Sequence, residues 1–141
     1  VTNEPYNPLA IGLAMGATFV ARVFAGDQDF AKEVFKQAIQ HKGFALVDIF
    51  VQCVSMNKVN TFKWYKNHTY HLDGDHDPTD INAAWKRAQE TEKFPTGVFY
   101  KKGGKKTFSE ASVAYESDST PLHARTLDKE KLRVLINSKR T

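Results

Sequence analysis

The most constraining feature of the sequence is a strand–helix–strand pattern near its start. Residues 18–24 are rich in β-branched and aromatic side chains, which is typical of a strand. Residues 27–42 carry apolar side chains at three- and four-residue spacing, which predicts a helix. Residues 44–51 form a nearly continuous apolar run, as expected for a strand buried on both faces of a parallel sheet. The pattern predicts an α/β fold built on a right-handed βαβ unit, in a mainly parallel sheet flanked by helices.

Shorter elements are predicted around this unit. Asn7 and Pro8 suit the start of a short buried helix over residues 7–16, and Gly16 suits its end. Weaker patterns predict a short helix over 61–66, a polar loop over 70–77, a helix from 77 to about 92, a strand over 97–101, a basic turn over 101–106, irregular structure over 107–124 and a terminal helix over 128–138. Because the chain has no internal repeat and no long linker, we predict a single domain over residues 1–141 with an irregular C-terminal extension.

The composition argues against several classes of protein. With 41% hydrophobic, 26% charged and 12% aromatic residues, the chain is unlike one that is disordered throughout. A net charge of +4 and one short lysine patch over residues 101–106 are too weak to indicate nucleic-acid binding. No apolar run reaches the roughly 20 residues of a membrane span. We therefore expect neither a nucleic acid nor a membrane as partner.

Residues 68–77 are rich in side chains that can bind metal ions. These are His68, His71, Asp73, Asp75, His76 and Asp77. The spacing of the aspartates is similar to the start of a calcium loop, but its sixth position is Pro78 and its twelfth is Ala84. Nor do the histidines have the helical spacing of a zinc site. We interpret the segment as a solvated loop that leads to a helix cap at Asp77.

Cys53 is the single cysteine of the sequence, which excludes an internal disulfide framework. A reducing compartment, the cytoplasm, is the simpler expectation. Cys53 lies just past the predicted buried strand, and ligands gather at the carboxyl ends of strands in parallel α/β sheets. Free cysteine is also common as a small buried hydrophobe. Position alone leaves a functional role and a packing role both open.

An ordered series of short segments resembles one protein family. The segments are Asn7-Pro8-Leu9-Ala10, Gly16-Ala17-Thr18-Phe19-Val20-Ala21-Arg22, His41-Lys42-Gly43-Phe44-Ala45-Leu46-Val47-Asp48, Gln52-Cys53-Val54, Asn57, Asn60-Thr61, Trp64-Tyr65, His76-Asp77-Pro78 and Ala83-Ala84. With them the chain resembles the beta subunit of the 2-oxoacid:ferredoxin oxidoreductases, over at least residues 7–100. The resemblance implies the C-terminal part of a thiamine diphosphate-binding fold.

Only the second half of that subunit is covered by the resemblance. The family's first half carries a Gly-Asp-Gly and a Thr-Gly-Gly motif for thiamine diphosphate and Mg²⁺, together with three cysteines, and this sequence has none of these. We therefore expect a C-terminal fragment or a dissected domain. The resemblance implies that Cys53 is the remaining ligand of a 4Fe-4S cluster. Gln52 stands where the family usually has proline.

The resemblance also implies an activity for the intact enzyme. A 2-oxoacid of the pyruvate or 2-oxoglutarate type would be oxidatively decarboxylated to an acyl-CoA, and its electrons would pass through iron–sulfur to ferredoxin. Thiamine diphosphate, Mg²⁺, the 4Fe-4S cluster and coenzyme A would serve the intact enzyme, with no cofactor bound to this chain alone. The expected partners are the N-terminal half of the beta subunit, the alpha subunit and ferredoxin.

For the chain by itself we expect no catalytic residue and no activity, because the diphosphate-binding motif is missing. An uncovered apolar face would make the isolated chain a homo-oligomer. The alternative is a standalone α/β binding or dimerisation module without catalysis.

Overall fold

A computed structural model describes residues 6–72 and 74–140. Contacts group the chain into two compact units, Val1–Thr107 and Phe108–Thr141. The larger unit carries the sheet and the helices that cover it, and the smaller one carries short helices only. The single domain predicted over residues 1–141 stays a prediction.

The larger unit is a mixed four-stranded sheet with helices around it, counted over the described residues. Its elements are α1 (Pro8–Ala14), β1 (Phe19–Phe24), α2 (Gln28–Gln40), β2 (Ala45–Phe50), α3 (Phe62–His68), β3 (Thr69–His71), α4 (Ile81–Ala88) and β4 (Phe94–Lys101). The strand order is β2-β1-β4-β3. β1 with β2 and β3 with β4 are parallel, whereas β1 with β4 is antiparallel. The α/β class and the βαβ unit predicted from the sequence are confirmed.

β1 is the centre of the core because both of its faces are covered. Phe19, Ala21 and Val23 alternate along one face and pack on α2 through Ala31 and Val34. On the opposite face, Val20 belongs to a cluster with side chains of α1, α4 and β4. That cluster comprises Leu9, Leu13, Ala17, Ala84, Ala88, Phe99 and Tyr100. A two-residue alternation therefore divides the core into two layers.

The first helix begins and ends as the sequence predicts. Asn7 Oδ1 accepts hydrogen bonds from the backbone N–H groups of Leu9 and Ala10, at 3.1 and 3.2 Å. Gly16 follows the helix with a φ of 76°, in the left-handed region that favours glycine. Asn7 also donates from Nδ2 to the carbonyl oxygen of Ala88 at 2.6 Å. The capping residue thus links α1 to the end of α4 as well.

The burial predicted for β2 is wrong. We expected a strand buried on both faces, but β2 lies at the end of the strand order and its side chains are mostly half-buried. Ile49 keeps 44% of its surface exposed. The apolar run did form a strand parallel to β1, so its local structure was predicted correctly and its surroundings were not.

The start of the last strand also differs from the prediction, because β4 begins at Phe94 and includes Pro95. The Thr96 carbonyl oxygen accepts from Leu72 N at 2.8 Å, so alternate backbone groups of β4 face β3 and Pro95 faces away. Pro95 therefore faces the side of β4 on which β1 lies, but the pairing of β4 with β1 extends only as far as Gly97. Because no strand pairs with Pro95 on that side, its missing N–H removes no hydrogen bond from the sheet. The partner strand β3 includes residues 70 and 71, which we predicted as part of a polar loop.

The smaller unit has the irregular character predicted for it. It contains α5 (Phe108–Ala111), two 3₁₀ turns and α6 (Lys129–Ser138). Asp128 caps α6 by accepting from the N–H groups of Glu130 and Lys131, each at 3.1 Å. The terminal helix predicted over residues 128–138 is therefore present. Across the described part of both units, none of the helices combines the length and apolarity needed to cross a bilayer.

Candidate functional site

Cys53 lies three residues beyond β2, and its side chain is exposed. Because β1 and β2 are parallel, their carboxyl ends lie at the same edge of the sheet. The sequence-based placement of Cys53 past the end of a strand is correct. Loops at such an edge are where parallel α/β proteins bind ligands.

Several hydrogen-bond donors converge on the Cys53 thiol. Its Sγ lies 3.5 Å from Ser55 Oγ. Hydrogen bonding from the Ser55 side chain, and then from the backbone N–H groups of Met56, Ser55 and Asn57, lowers the pKa of the Cys53 thiol to about 7. The thiolate is the form that binds metals. The loop therefore holds an exposed thiol whose pKa is lowered to about 7 by the donors around it.

Asn57 organises the loop that carries this thiol. Its Oδ1 accepts from the backbone N–H groups of Val59 and Asn60, both at 2.9 Å. Its Nδ2 donates to Asn60 Oδ1 at 3.0 Å, and its own N–H donates to the Cys53 carbonyl oxygen at 3.2 Å. Thr61 Oγ1 then accepts from Trp64 N at 3.3 Å and begins α3. The sequence matched Asn57 to a family but did not reveal this role.

Aromatic side chains cover the same edge of the sheet. Phe50, the last residue of β2, lies 5.2 Å from the Tyr65 ring and 5.5 Å from the Phe94 ring. The Arg22 guanidinium lies 4.5 Å above the Phe50 ring and donates to Asp48 Oδ2 at 2.7 Å. These contacts pack α3 against the end of β2, the strand that leads into the Cys53 loop.

The loop fits a ligand of an iron–sulfur cluster in its donor chemistry. Clusters are held by cysteine thiolates, and hydrogen bonds to the sulfurs tune their reduction potentials. Cys53 offers an ionisable thiol with N–H and O–H donors around it. It supplies one thiolate, whereas a cluster commonly takes four. Among the described residues, no group of three or more His, Cys, Asp or Glu side chains could hold a metal ion.

The histidines of residues 68–77 are engaged separately rather than brought together. His68 Nδ1 contacts the Trp64 carbonyl oxygen at 2.7 Å. His71 Nε2 lies 2.9 Å from Asp27 Oδ2, and buried His76 has its Nε2 2.8 Å from the Phe99 carbonyl oxygen. Each ring is tied to a different neighbour.

The structure corrects one prediction for the aspartates of the same segment. Asp73 lies outside the described residues. The helix cap predicted at Asp77 is wrong, because α4 begins at Ile81 and its N-cap is Asp80, which accepts from Asn82 N at 2.8 Å. Asp77 instead accepts from the N–H and hydroxyl of Thr79. These bonds lower the pKa of the Asp77 carboxyl.

A cleft of about 630 Å³ opens between β1, α2, α3 and β3. Asp27, Lys66 and His71 are among its charged or titratable lining groups. The His71 ring stacks on Phe30 with the ring centres 3.9 Å apart. Neither Asp27 nor Lys66 belongs to a recognisable motif in the sequence, because the cleft joins residues that are distant along the chain.

The chain is similar to proteins of one family. Residues 53–117 match the family model for the C-terminal region of the pyruvate ferredoxin oxidoreductase beta subunit, so the match begins at Cys53 itself. A 2-oxoacid:ferredoxin oxidoreductase subunit beta of a Sulfolobus species is 39% identical over 110 residues, 70% of this chain and 36% of the relative. The chain is a homologue of the 2-oxoacid:ferredoxin oxidoreductase beta subunit. The resemblance stated from the sequence is confirmed.

Two further similar proteins belong to the same family. Subunit beta of 2-oxoacid:ferredoxin oxidoreductase 1 from Aeropyrum pernix is 37% identical over 134 residues, 84% of this chain and 42% of the relative. The solved 2-oxoglutarate:ferredoxin oxidoreductase from Magnetococcus marinus, with 2-oxoglutarate, coenzyme A and succinyl-CoA bound, superposes with a TM-score of 0.74 at 35% identity. That superposition covers 95% of this chain and 45% of the other. This chain therefore spans less than half the length of these relatives.

Proposed function

We propose that the chain is the C-terminal part of a 2-oxoacid:ferredoxin oxidoreductase beta subunit, in which Cys53 is one ligand of a 4Fe-4S cluster. The observation that carries the proposal is the exposed Cys53 thiol, ringed by hydrogen-bond donors at the carboxyl end of β2. The other cluster ligands come from the N-terminal half of the subunit.

In this proposal the complete enzyme oxidatively decarboxylates a 2-oxoacid to an acyl-CoA. Thiamine diphosphate with Mg²⁺ supplies the means to stabilise negative charge on the substrate carbon when it is bound. The relative from Magnetococcus marinus, described with 2-oxoglutarate, coenzyme A and succinyl-CoA bound, supports a 2-oxoacid substrate and coenzyme A as acceptor. The alpha subunit and ferredoxin are the further partners, and the cytoplasm is the proposed location.

The residues of this chain contribute to electron transfer rather than to bond breaking. Cys53 would bind one iron, and the N–H groups of Ser55, Met56 and Asn57 would stabilise negative charge on its sulfur. We assign no catalytic acid or base to the chain, and the isolated chain is inactive in this proposal.

Iron and acid-labile sulfide analysis tests the proposal directly. The chain is coexpressed anaerobically with the N-terminal half of the subunit, as wild type, Cys53→Ser and Ser55→Ala. We expect Cys53→Ser to lose the broad iron–sulfur absorption near roughly 400 nm. Ser55→Ala is the comparison variant, because it keeps the thiol and removes one donor to its sulfur, so the cluster should still form. Equal iron, sulfide and absorption in Cys53→Ser would refute the assignment.

The alternative function is a standalone α/β binding or dimerisation module. The observation that favours it is the exposed apolar surface near β2, where Ile39 is 83% exposed. This alternative requires that the chain form a folded homo-oligomer and take up no iron, even when it is coexpressed with the N-terminal half of the subunit. Sedimentation of the chain over a range of concentrations, with metal analysis of each species, separates the two functions.

A further inference from the structure

The Ser55 hydroxyl is a side-chain partner of the Cys53 sulfur. Its Oγ lies 3.5 Å from Cys53 Sγ, two residues further along the same loop. In the free thiol either atom can donate the hydrogen of this contact. A sulfur that binds a metal is a thiolate and carries no hydrogen. In the iron-bound state the Ser55 hydroxyl must therefore be the donor and the sulfur the acceptor.

Hydrogen bonds within the loop hold Ser55 beside the thiol. The Asn57 N–H donates to the Cys53 carbonyl oxygen at 3.2 Å, which closes a turn around Ser55. Lys58 Nζ donates to the Val54 carbonyl oxygen at 2.7 Å and spans the same stretch of chain. The hydroxyl and the sulfur thus belong to one turn, and no other segment is needed to bring them together.

Two kinds of donor reach the Cys53 sulfur, and only one of them depends on a side chain. The backbone N–H groups of Ser55, Met56 and Asn57 bond to the thiolate, and any residue except proline supplies such a group. The Ser55 hydroxyl is the largest of the contributions that favour the ionised sulfur. A substitution at Ser55 therefore removes one donor and leaves the backbone donors in place.

A donor to a cluster sulfur affects the two oxidation states of the cluster unequally. Reduction adds one electron, which the 2-oxoacid supplies and ferredoxin receives in the proposed function. The added negative charge is shared by the sulfur atoms, and hydrogen bonds strengthen as the acceptor becomes more negative. A donor therefore stabilises the reduced state more than the oxidised state. Hydrogen bonds to the sulfurs are among the factors that set the reduction potentials of iron–sulfur clusters.

We propose that Ser55 raises the reduction potential of the cluster by donating its hydroxyl hydrogen to the Cys53 sulfur. This inference rests on the proposed function and adds a residue that adjusts electron transfer without binding iron. Ser55→Ala should make reduction of the cluster about tenfold less favourable, which is a potential lower by ~59 mV for one electron. Ser55→Thr is the matched control, because it keeps a hydroxyl at this position and should stay near the wild-type potential.

A redox titration followed by electron paramagnetic resonance of the reduced cluster measures these potentials. The chain is coexpressed anaerobically with the N-terminal half of the subunit, as wild type, Ser55→Ala and Ser55→Thr. Electron–nuclear double resonance in D₂O provides a second readout, which a purely structural role of Ser55 would not change. Wild type and Ser55→Thr should show a coupling from the hydroxyl deuteron that Ser55→Ala lacks.

The outcomes distinguish this inference from the function on which it rests. Ser55→Ala with full iron and sulfide and an unchanged potential would overturn the role of Ser55 and keep Cys53 as a ligand. Equally lowered potentials in Ser55→Ala and Ser55→Thr would also overturn it, because the hydroxyl is then not the cause. Loss of the cluster from Ser55→Ala overturns it as well, since the hydroxyl would then serve assembly. A cluster that persists in Cys53→Ser, with a potential insensitive to Ser55, rejects the function and the inference together.

Discussion

The Asn57 N–H donates to the carbonyl oxygen of Cys53 at 3.2 Å and also contributes to the donors around the Cys53 sulfur. One residue therefore shapes the turn in which the thiol lies. Asn57 Oδ1 accepts two further backbone N–H groups at 2.9 Å, so the loop is held from within. Local hydrogen bonds of this kind position a ligand before any metal is bound.

The first prediction concerns the acidity of the single thiol. Hydrogen bonds to the thiolate lower the pKa of Cys53 to about 7, and the Ser55 side chain is the largest contributor. Ser55→Ala should raise this pKa, so that a smaller fraction is thiolate at neutral pH. The pH dependence of alkylation measures it, because the reactive thiolate grows as pH rises through the pKa.

Ser138→Ala serves as the control for this measurement, since Ser138 donates to the Leu135 carbonyl oxygen in α6 and lies far along the chain from the thiol. Wild type and Ser138→Ala should both show half-maximal reactivity near pH 7. If Ser55→Ala and wild type reach half-maximal alkylation at the same pH, the Ser55 hydroxyl does not lower the pKa of Cys53.

The second prediction concerns the Asn57 side chain. Asn57→Ala removes the acceptor for the Val59 and Asn60 N–H groups and should cost about 1 kcal/mol of unfolding free energy. Asn60→Ala loses only the single bond from Asn57 Nδ2 and should cost less. Urea unfolding measures both variants. Equal costs would show that the two backbone bonds contribute nothing beyond the bond between the side chains.

The third prediction concerns the Arg22–Asp48 ion pair. The side chains are 7% and 18% exposed, and the two atoms are 2.7 Å apart. Asp48→Ala leaves the guanidinium in the core without its partner and should cost about 3 kcal/mol. The double variant Arg22→Met with Asp48→Leu should recover most of that loss, because it removes both charges. A double variant as unstable as Asp48→Ala would contradict this account.

The fourth prediction compares two glycines with positive φ. A Cβ at Gly43, where φ is 135°, would lie 2.3 Å from Thr18 Oγ1. Thr18 Oγ1 accepts from Phe44 N and contacts His41 Nε2, so the displaced hydroxyl would disturb the turn before β2. Gly43→Ala should therefore cost about 2 kcal/mol or more, whereas Gly16→Ala should cost about 1 kcal/mol.

Gly16 is a suitable control because a Cβ there would meet no described atom within 4 Å, so only its φ of 76° opposes the change. Thermal unfolding of both variants measures the difference. Similar melting temperatures for the two would show that contact with Thr18 is relieved at no cost.

Much of the local structure followed from the sequence. The β1–α2–β2 unit was predictable because hydrophobic periodicity and β-branched runs act within a few residues. Asn7 and Gly16 marked the ends of α1 because capping uses neighbouring backbone groups. The position of Cys53 after a strand followed from the same local pattern.

Only the tertiary structure decided what surrounds these elements. Whether β2 is an edge strand or an interior strand depends on which strands pair with it. The apolar sequence of β2 predicts a buried strand in both cases. The pairing of Pro95 with Tyr70 and the approach of His71 to Asp27 join residues 25 and 44 positions apart, respectively. The sequence by itself determined most of the helices and strands and the position of the single thiol after a strand, but not β3. Non-local contacts decided the layers, the open edge and the ring contacts of Phe50 with Tyr65 and Phe94, because such contacts form only when distant segments pack together.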